Sequence, residues 1–356
     1  MNRIAVTYET KDGAVRKIEI DADARVVDLS RLSAVSINLD PLVGAVGIEE
    51  LQLASNKLKS IDLRPLSKCT HLQVLNLTKN KMQELSLRGL EGCVALRELN
   101  LGGNELKGLD LSPLSSCTNL QRLRMFGNQI EKLDLKPLSK CDKLEYLELE
   151  TNHLESIDLG PLKKCLNLVQ LNLMHNSLTS VDLSSLKQCR KLKFLYLHHN
   201  ALGSIDLGPV EQCADLTIVR VGNNEIKNMD LEPLGKCANL RRLELAMNAL
   251  QTLDLSPLAS CTELRALDIA GNQLTSIDLS PLSDCKNLEE LYLFSDHPKE
   301  NQFTEIDVSA LFACKNLEDL GMPESVDLVA DSSLKDQEEI PTALGELIDE
   351  ARISWT

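Results

Sequence analysis

Aromatic side chains are scarce: Phe, Tyr and Trp supply 3% of the 356 residues, while hydrophobic residues as a whole supply 43%. Rings usually dominate core energetics, so this interior must be closed with Leu, Ile and Val, a choice suited to thin stacked layers. Positive charge is also short. With 38 Lys and Arg against 53 Asp and Glu, the formal charge is −15, which opposes counterion-release binding to nucleic acid and attraction to anionic membrane surfaces. No apolar run approaches the ~18 residues of a membrane-spanning helix. The opening MNRIAVTYETKDG reaches charge before a signal-peptide core can form. A phosphate-cradling glycine loop, a GxSxG elbow and an HExxH pair are all missing, so neither catalysis nor a cofactor is expected.

Cysteine is present in an odd number, and its spacing matters more than its count. The eleven are Cys69, Cys93, Cys117, Cys141, Cys165, Cys189, Cys213, Cys237, Cys261, Cys285 and Cys314, each 24 residues from the last except the final step of 29. One cysteine per period makes a column and not a disulfide framework. Ala45 holds the same place in the first period, which marks the position as a small buried hydrophobe. Stacked thiols that stay reduced point to a reducing compartment, and the expected location is cytoplasmic. One ligand per period cannot close a tetrahedral metal site.

The same phrase surrounds each cysteine, as in LDLSPLSSCTNLQRLRMFGNQI at 109–130 and IDLGPLKKCLNLVQLNLMHNSL at 157–178. A fixed period of this length predicts a stack of like coils, about twelve of them. In Leu99-Asn100-Leu101 alternation places both leucines on one face of a short strand. Stacked at ~4.8 Å, such strands form a parallel ribbon on the order of 55 Å long. A second column, from Asn56 and Asn80 to Asn272 and Asn301, stands where the chain leaves the strand. A buried amide there can satisfy backbone groups of its own and the neighbouring coil. The following IDLxPL segment sets proline, for example Pro113 and Pro161, at the first position of a short helical turn, with capping serines before it at Ser112, Ser256 and Ser280. Its aspartates, including Asp62, Asp110 and Asp254, are read as pointing outward or capping that turn, with a calcium ladder as the lesser alternative.

The pattern LxxLxLxxNxL, as in Leu72 to Met82 and Leu96 to Leu106, resembles the leucine-rich-repeat family over about residues 37–322. The resemblance implies an α/β solenoid, a leucine-rich-repeat horseshoe with a concave parallel β-sheet and short 3₁₀ or α turns on the convex side. Proteins of the intracellular type commonly act as adaptors or regulators, so it also implies a non-catalytic interaction scaffold. An open core at each end requires caps. Residues 1–36 are assigned to an N-terminal β-hairpin cap in which Ile4, Val6 and Tyr8 alternate, 37–322 to the solenoid, and 323–356 to a C-terminal cap with a helix over Ile340 to Trp355. One insertion, at Phe294 to Asn301, lengthens the link between a strand and its asparagine and is a candidate binding loop, with drift near the cap as the alternative.

Function is sought among variable residues facing out from the strands. Six of the nine Tyr and Phe residues fall there, namely Phe126, Tyr146, Phe194, Tyr196, Tyr292 and Phe294. Large rigid rings beside Met and Arg have the composition of interface hot spots. The candidate partner-binding residues are those six with Arg122, Arg124, Glu148, Met174, His175, His198, His199 and Arg220, a patch across coils four to eight with a second cluster at Tyr292 and Phe294. The arginines, Arg242 among them, are read as suited to acidic groups of a partner. The expected partner is another protein, with no nucleic acid, membrane, metal or cofactor, and the expected state is a monomer. Two alternatives stand beside this reading: a small-ligand or metal binder using His175 and His199, and a self-associating structural protein.

Overall fold

The computed structural model describes residues 3–294 and 300–356, and the chain divides into two units, Met1–Leu178 and Thr179–Thr356. In the first, β1 (Arg3–Thr10) and β2 (Val15–Asp21) form an antiparallel hairpin, and β4 (Ala34–Asn38) adds to the other side of β1. The parallel ribbon begins with β3 (Val26–Asp28), ahead of residue 37, because the RVVDL segment already carries the inward pair Val27 and Leu29, each 1% exposed or less. It continues through β5 (Glu50–Gln52), β6 (Val74–Asn76), β7 (Glu98–Asn100), β8 (Arg122–Arg124), β9 (Tyr146–Glu148) and β10 (Gln170–Asn172). Each strand pairs with the next in register, as Arg122 with Tyr146 and Tyr146 with Gln170.

The second unit repeats the plan with β11 (Phe194–Tyr196), β12 (Ile218–Arg220), β13 (Arg242–Glu244), β14 (Ala266–Asp268) and β15 (Glu290–Tyr292). After β16 (Glu305–Asp307), β17 (Asp319–Gly321) extends the same ribbon. A separate parallel sheet joins β16 to β18 (Asp327–Ala330) and β19 (Ile353–Trp355). The terminal helix α1 is short, Thr342–Asp349. The expected continuation to Trp355 fails because Ala351 turns at a φ of 57° and Ile353–Trp355 pairs with β18 as a strand. Trp355 then meets Phe312, ring centroids 6.0 Å apart. Tertiary pairing outweighs helical spacing in so short a segment.

Within each coil the strand's inner leucines are fully covered, as Leu147 and Leu149 are at 0% exposure. Burying one such side chain stabilises by about 1.5–3 kcal/mol, and only a neighbouring coil can supply the cover. The asparagine column ties those neighbours together. Asn152 Nδ2 donates to Met125 O of the preceding coil and Leu149 O of its own, both at 3.0 Å, while its Oδ1 accepts from Ile130 N at 3.1 Å. The residue before each asparagine turns left-handed, as Ser55, Thr151 and Met247 do at φ of 58°, 55° and 59°, which swings the amide inward.

The coils leave through 3₁₀ turns such as Ser112–Ser116 and Gly160–Lys164, with proline in the first turn. Here the serine expectation needs correction. No N-cap side chain caps these turns; the aspartate two residues before the turn's first residue does so, with Asp110 Oδ1 accepting Ser112 N at 2.9 Å and Asp254 Oδ1 accepting Ser256 N at 2.8 Å. The carboxylate reaches the backbone N–H with full charge where a serine hydroxyl would not. In one coil Ser86 replaces the aspartate and Gly89 the proline. Its φ of +108° and the 2.1 Å that would separate a Cβ from Leu63 O admit no other residue.

After the first coil, where Ala45 holds the place, the turn of each repeat leads to a buried, free cysteine. The thiols donate across coils, Cys165 Sγ to Cys141 O at 3.3 Å and Cys261 Sγ to Leu234 O at 3.3 Å. Burial pushes Cys93, Cys141 and Cys213 up to about 12, so little thiolate forms at neutral pH. Native protein treated with iodoacetamide at pH 8 should therefore remain almost unlabelled by mass spectrometry, whereas denatured protein takes up eleven adducts, one per cysteine. Asn224→Ala leaves Leu202 N without the acceptor that now holds it at 3.0 Å, and takes away one of the two amide donors at Leu197 O and at Val221 O, which Asn200 and Asn248 still reach. It should cost about 3 kcal/mol or more, measurable by urea unfolding.

Candidate binding face

Strand alternation turns the first and third residues of every strand out of the ribbon. In the first unit β8 presents Arg122 and Arg124 between the acids and ring of its neighbours. Arg124 bridges two strands, its Nη1 lying 2.9 Å from Glu98 Oε1 on β7 and its Nε 2.9 Å from Glu148 Oε2 on β9. Arg122 holds its guanidinium 4.9 Å above the Tyr146 ring. Phe126 lies on Gly102 of the coil before, where a Cβ would stand 2.5 Å from the ring. Met174 is half-buried, and His175 is exposed in a left-handed turn with φ of 52°.

One acid of this face forms no ion pair among the described residues, Arg124 acting on it only from a distance. Glu150 Oε2 is buried with no hydrogen bond. Burial is the main cause that raises its carboxyl to about 7, reinforced by the Glu148 charge, while the bond from its own backbone N–H pulls the other way. Glu148 is raised by burial too, but Arg124 draws it back.

In the second unit β11 carries Phe194 and Tyr196 with nearly parallel rings, 6.2 Å between centroids and 6° between planes. His198 stands edge-on to Tyr196 at 6.2 Å, and His199 follows 5.5 Å from His198. The Arg220 guanidinium sits 5.7 Å from the Tyr196 ring while its Nε lies 3.1 Å from Glu244. Further along, Arg242 Nη2 reaches past β14 to Glu290, at 2.9 and 3.0 Å from the two carboxylate oxygens. It passes above Ala266, which it leaves 3% exposed. Asp268 beside it is raised to about 6, chiefly by burial. Tyr292 packs on Gly321, where a Cβ would be 2.9 Å from the ring, and Phe294 is half-buried just after it. Residues 295–299 of the candidate loop lie outside the described residues.

The structure thus gathers Arg122, Arg124, Phe126, Tyr146 and Glu148 on one face of the first unit. Phe194, Tyr196, His198, His199 and Arg220 share a face of the second. The aromatics at these places are half-buried, whereas Phe303 and Phe312 are core, at 6% and 1% exposure. The reading of the arginines changes: Arg124, Arg220 and Arg242 are already paired with the chain's own carboxylates. Glu98, Glu150, Glu244, Asp268 and Glu290 were the residues to add. Their signal was legible by comparing the outward strand positions of successive coils, where Glu98 opens β7 while Arg124 and Glu148 close β8 and β9. Among the described residues no group of three or more His, Cys, Asp or Glu side chains is arranged to hold a metal ion.

A leucine rich repeat model matches residues 47–106, 142–202, 214–274 and 238–297, and a two-copy form matches 94–137 and 118–164. The chain belongs to the leucine-rich-repeat family, whose members are generally interaction scaffolds and typically not enzymes. Comparison of the sequence with curated proteins found no match. Among solved structures it is similar to an internalin, InlF, of Listeria monocytogenes, at TM-score 0.62 and 21% identity over 86% of this chain and 90% of that one. It is also similar to the functional domain of InlJ from the same organism, described as including a cysteine ladder, at TM-score 0.56 and 21% identity over 90% and 72%. A third is the ectodomain of the Arabidopsis thaliana receptor kinase GASSHO1/SCHENGEN3, solved in complex with CASPARIAN STRIP INTEGRITY FACTOR 2, at TM-score 0.51 and 26% identity over 83% of this chain and 40% of that one. These likenesses place the fold.

Glu150 supplies a test of the face's electrostatics. Burial raises its folded carboxyl to about 7 from the ordinary 4.5, so between those values the folded state binds more protons than the unfolded one and stability falls as pH rises. Glu150→Gln should raise the melting temperature by a few degrees at pH 8 and leave it nearly unchanged at pH 4.5, read by differential scanning calorimetry.

Proposed function

We propose that the chain is a non-catalytic scaffold that holds another protein against the sheet face of its coils, as a monomer in a reducing, cytoplasmic setting. The observation that carries this reading is the distribution of rings. Phe194 and Tyr196 lie half-buried with parallel rings on the sheet face at β11, while the interior beside them is closed by Leu195 and Leu197 at 0% exposure. A protein that needed rings for its own core would hide them. Parallel, preoriented rings lose little entropy on docking and fit the anchor role of an interface.

The charges support a partner of particular character. Arg124, Arg220 and Arg242 are held by carboxylates of the same face, which fixes those side chains before any partner arrives. Glu150 and Asp268, raised by burial, gain most from a donor or cation brought by the partner. The Arabidopsis ectodomain, bound to its factor, supports a protein ligand by analogy of fold. The free, inert cysteines support the reducing setting.

The double variant Phe194→Ala, Tyr196→Ala tests the proposal. Used as bait in a lysate of the source cells, the unaltered chain should retain a defined set of proteins and the variant should lose at least tenfold of them. Its melting temperature should shift by no more than a few degrees. Retention of the same proteins by a folded variant, or collapse of the fold, would refute the assignment.

A further inference from the structure

One groove on the turn side of the first unit is lined by charge opposite in sign to that of the chain as a whole. Between the 3₁₀ turns Lys136–Lys140 and Gly160–Lys164 of two successive coils lies a groove of about 400 Å³ lined by Lys136, Lys140, Lys163 and Lys164 around Gly160 and Pro161. The 24-residue period explains the convergence. It sets Gly160 beside Lys136 and Lys164 beside Lys140, while Lys163 adds a further cation, and the glycine leaves open the space a second long side chain would fill. No other pair of successive turn segments carries four lysines: SPLSS, GPVEQ and EPLGK, for example, hold one or none.

All four ammonium groups are exposed, and none has an ion-pair partner among the described residues. Two carboxylates adjoin the groove, Asp134 accepting from Lys136 N at 2.9 Å and Asp158 from Gly160 N at 2.8 Å, so four lysines stand against two acids. In a chain of formal charge −15, a local excess of lysine over carboxylate runs against the background. Flexible ammonium groups around a small polar hollow suit an anion with several closely spaced negative charges. The volume lies in the range of small-molecule sites, ~300–1,000 Å³. Leu166, 46% exposed just beyond Lys164 and Cys165, gives the neighbourhood one apolar side chain.

We propose that this groove binds a multiply charged phosphate compound, either a soluble polyphosphate or the phosphorylated headgroup of a lipid. Sodium tripolyphosphate, titrated by calorimetry at about 0.15 M ionic strength where distant surface charges are screened, is the first probe. Vesicles of phosphatidylcholine with and without phosphatidylinositol bisphosphate, sedimented with the protein, are the second. The expected result is saturable binding of tripolyphosphate at one site per chain, weakened at least tenfold in Lys140→Gln, Lys164→Gln. It should be unchanged in Lys68→Gln, Lys236→Gln, which removes equal charge from other turns. Vesicle binding that depends on the phosphoinositide and is lost in the same groove variant would support the site with the lipid headgroup as its source. Absence of saturable binding to both probes, or equal weakening in the two variants, would overturn the proposal.

Discussion

A side-chain amide that reaches two coils at once is the interaction on which this molecule depends. A strand of three residues cannot hold a partner by its ladder alone, and a single coil cannot cover its own leucines. Where the chain leaves the strand, its carbonyls and N–H groups turn inward, away from water, and would be costly unpaired. Asn152, bonded at 3.0 Å to Met125 O and Leu149 O and at 3.1 Å to Ile130 N, closes that deficit in one group and fixes the offset between coils. With the offset fixed, leucine covers leucine, thiol meets the carbonyl of the coil before, and each aspartate starts the same turn.

That regularity has an electrostatic consequence. Strict stacking places like residues above one another, so a charge repeated in every coil of the sheet face would repel itself across ~4.8 Å. Acid and arginine alternate instead, with Arg124 spanning Glu98 and Glu148, and Arg242 reaching Glu290 over the small Ala266. Glu150 escapes the alternation and is raised toward neutrality. Aspartates of the turn column avoid the problem differently: they are exposed, and each is neutralised in part by a backbone N–H, as Asp62 is by Arg64 N at 3.0 Å.

The two sides of a coil are consequently free to vary for different ends. Rings sit on the sheet side, Phe126 and Tyr292 against a glycine, Tyr146 under Arg122, and Phe194 beside Tyr196. Lysines gather on the turn side, where Gly160 opens the groove. Neither set belongs to the inner column of leucines, so each side can vary while that column stays the same. The amide column resumes beyond the insertion at Asn301, whose Nδ2 reaches Ile269 O and Leu293 O at 3.0 and 2.9 Å.

The sequence by itself determined the period, the inward columns, the buried amides and thiols, and the outward set from which any contact must be drawn. It could do so because each of these is a repeated local requirement that reads the same in every coil. Only the tertiary structure decided matters that occur once. Ile353–Trp355 became a strand because β18 offered an edge, and the ribbon began at Val26 because the first coil had to be covered. Arg124, Arg220 and Arg242 lost their availability because acids of nearby coils came within reach. Which lysines share a groove, and which carboxylate is left without a partner, depend on side chains from separate coils meeting in space, and no single coil contains that information.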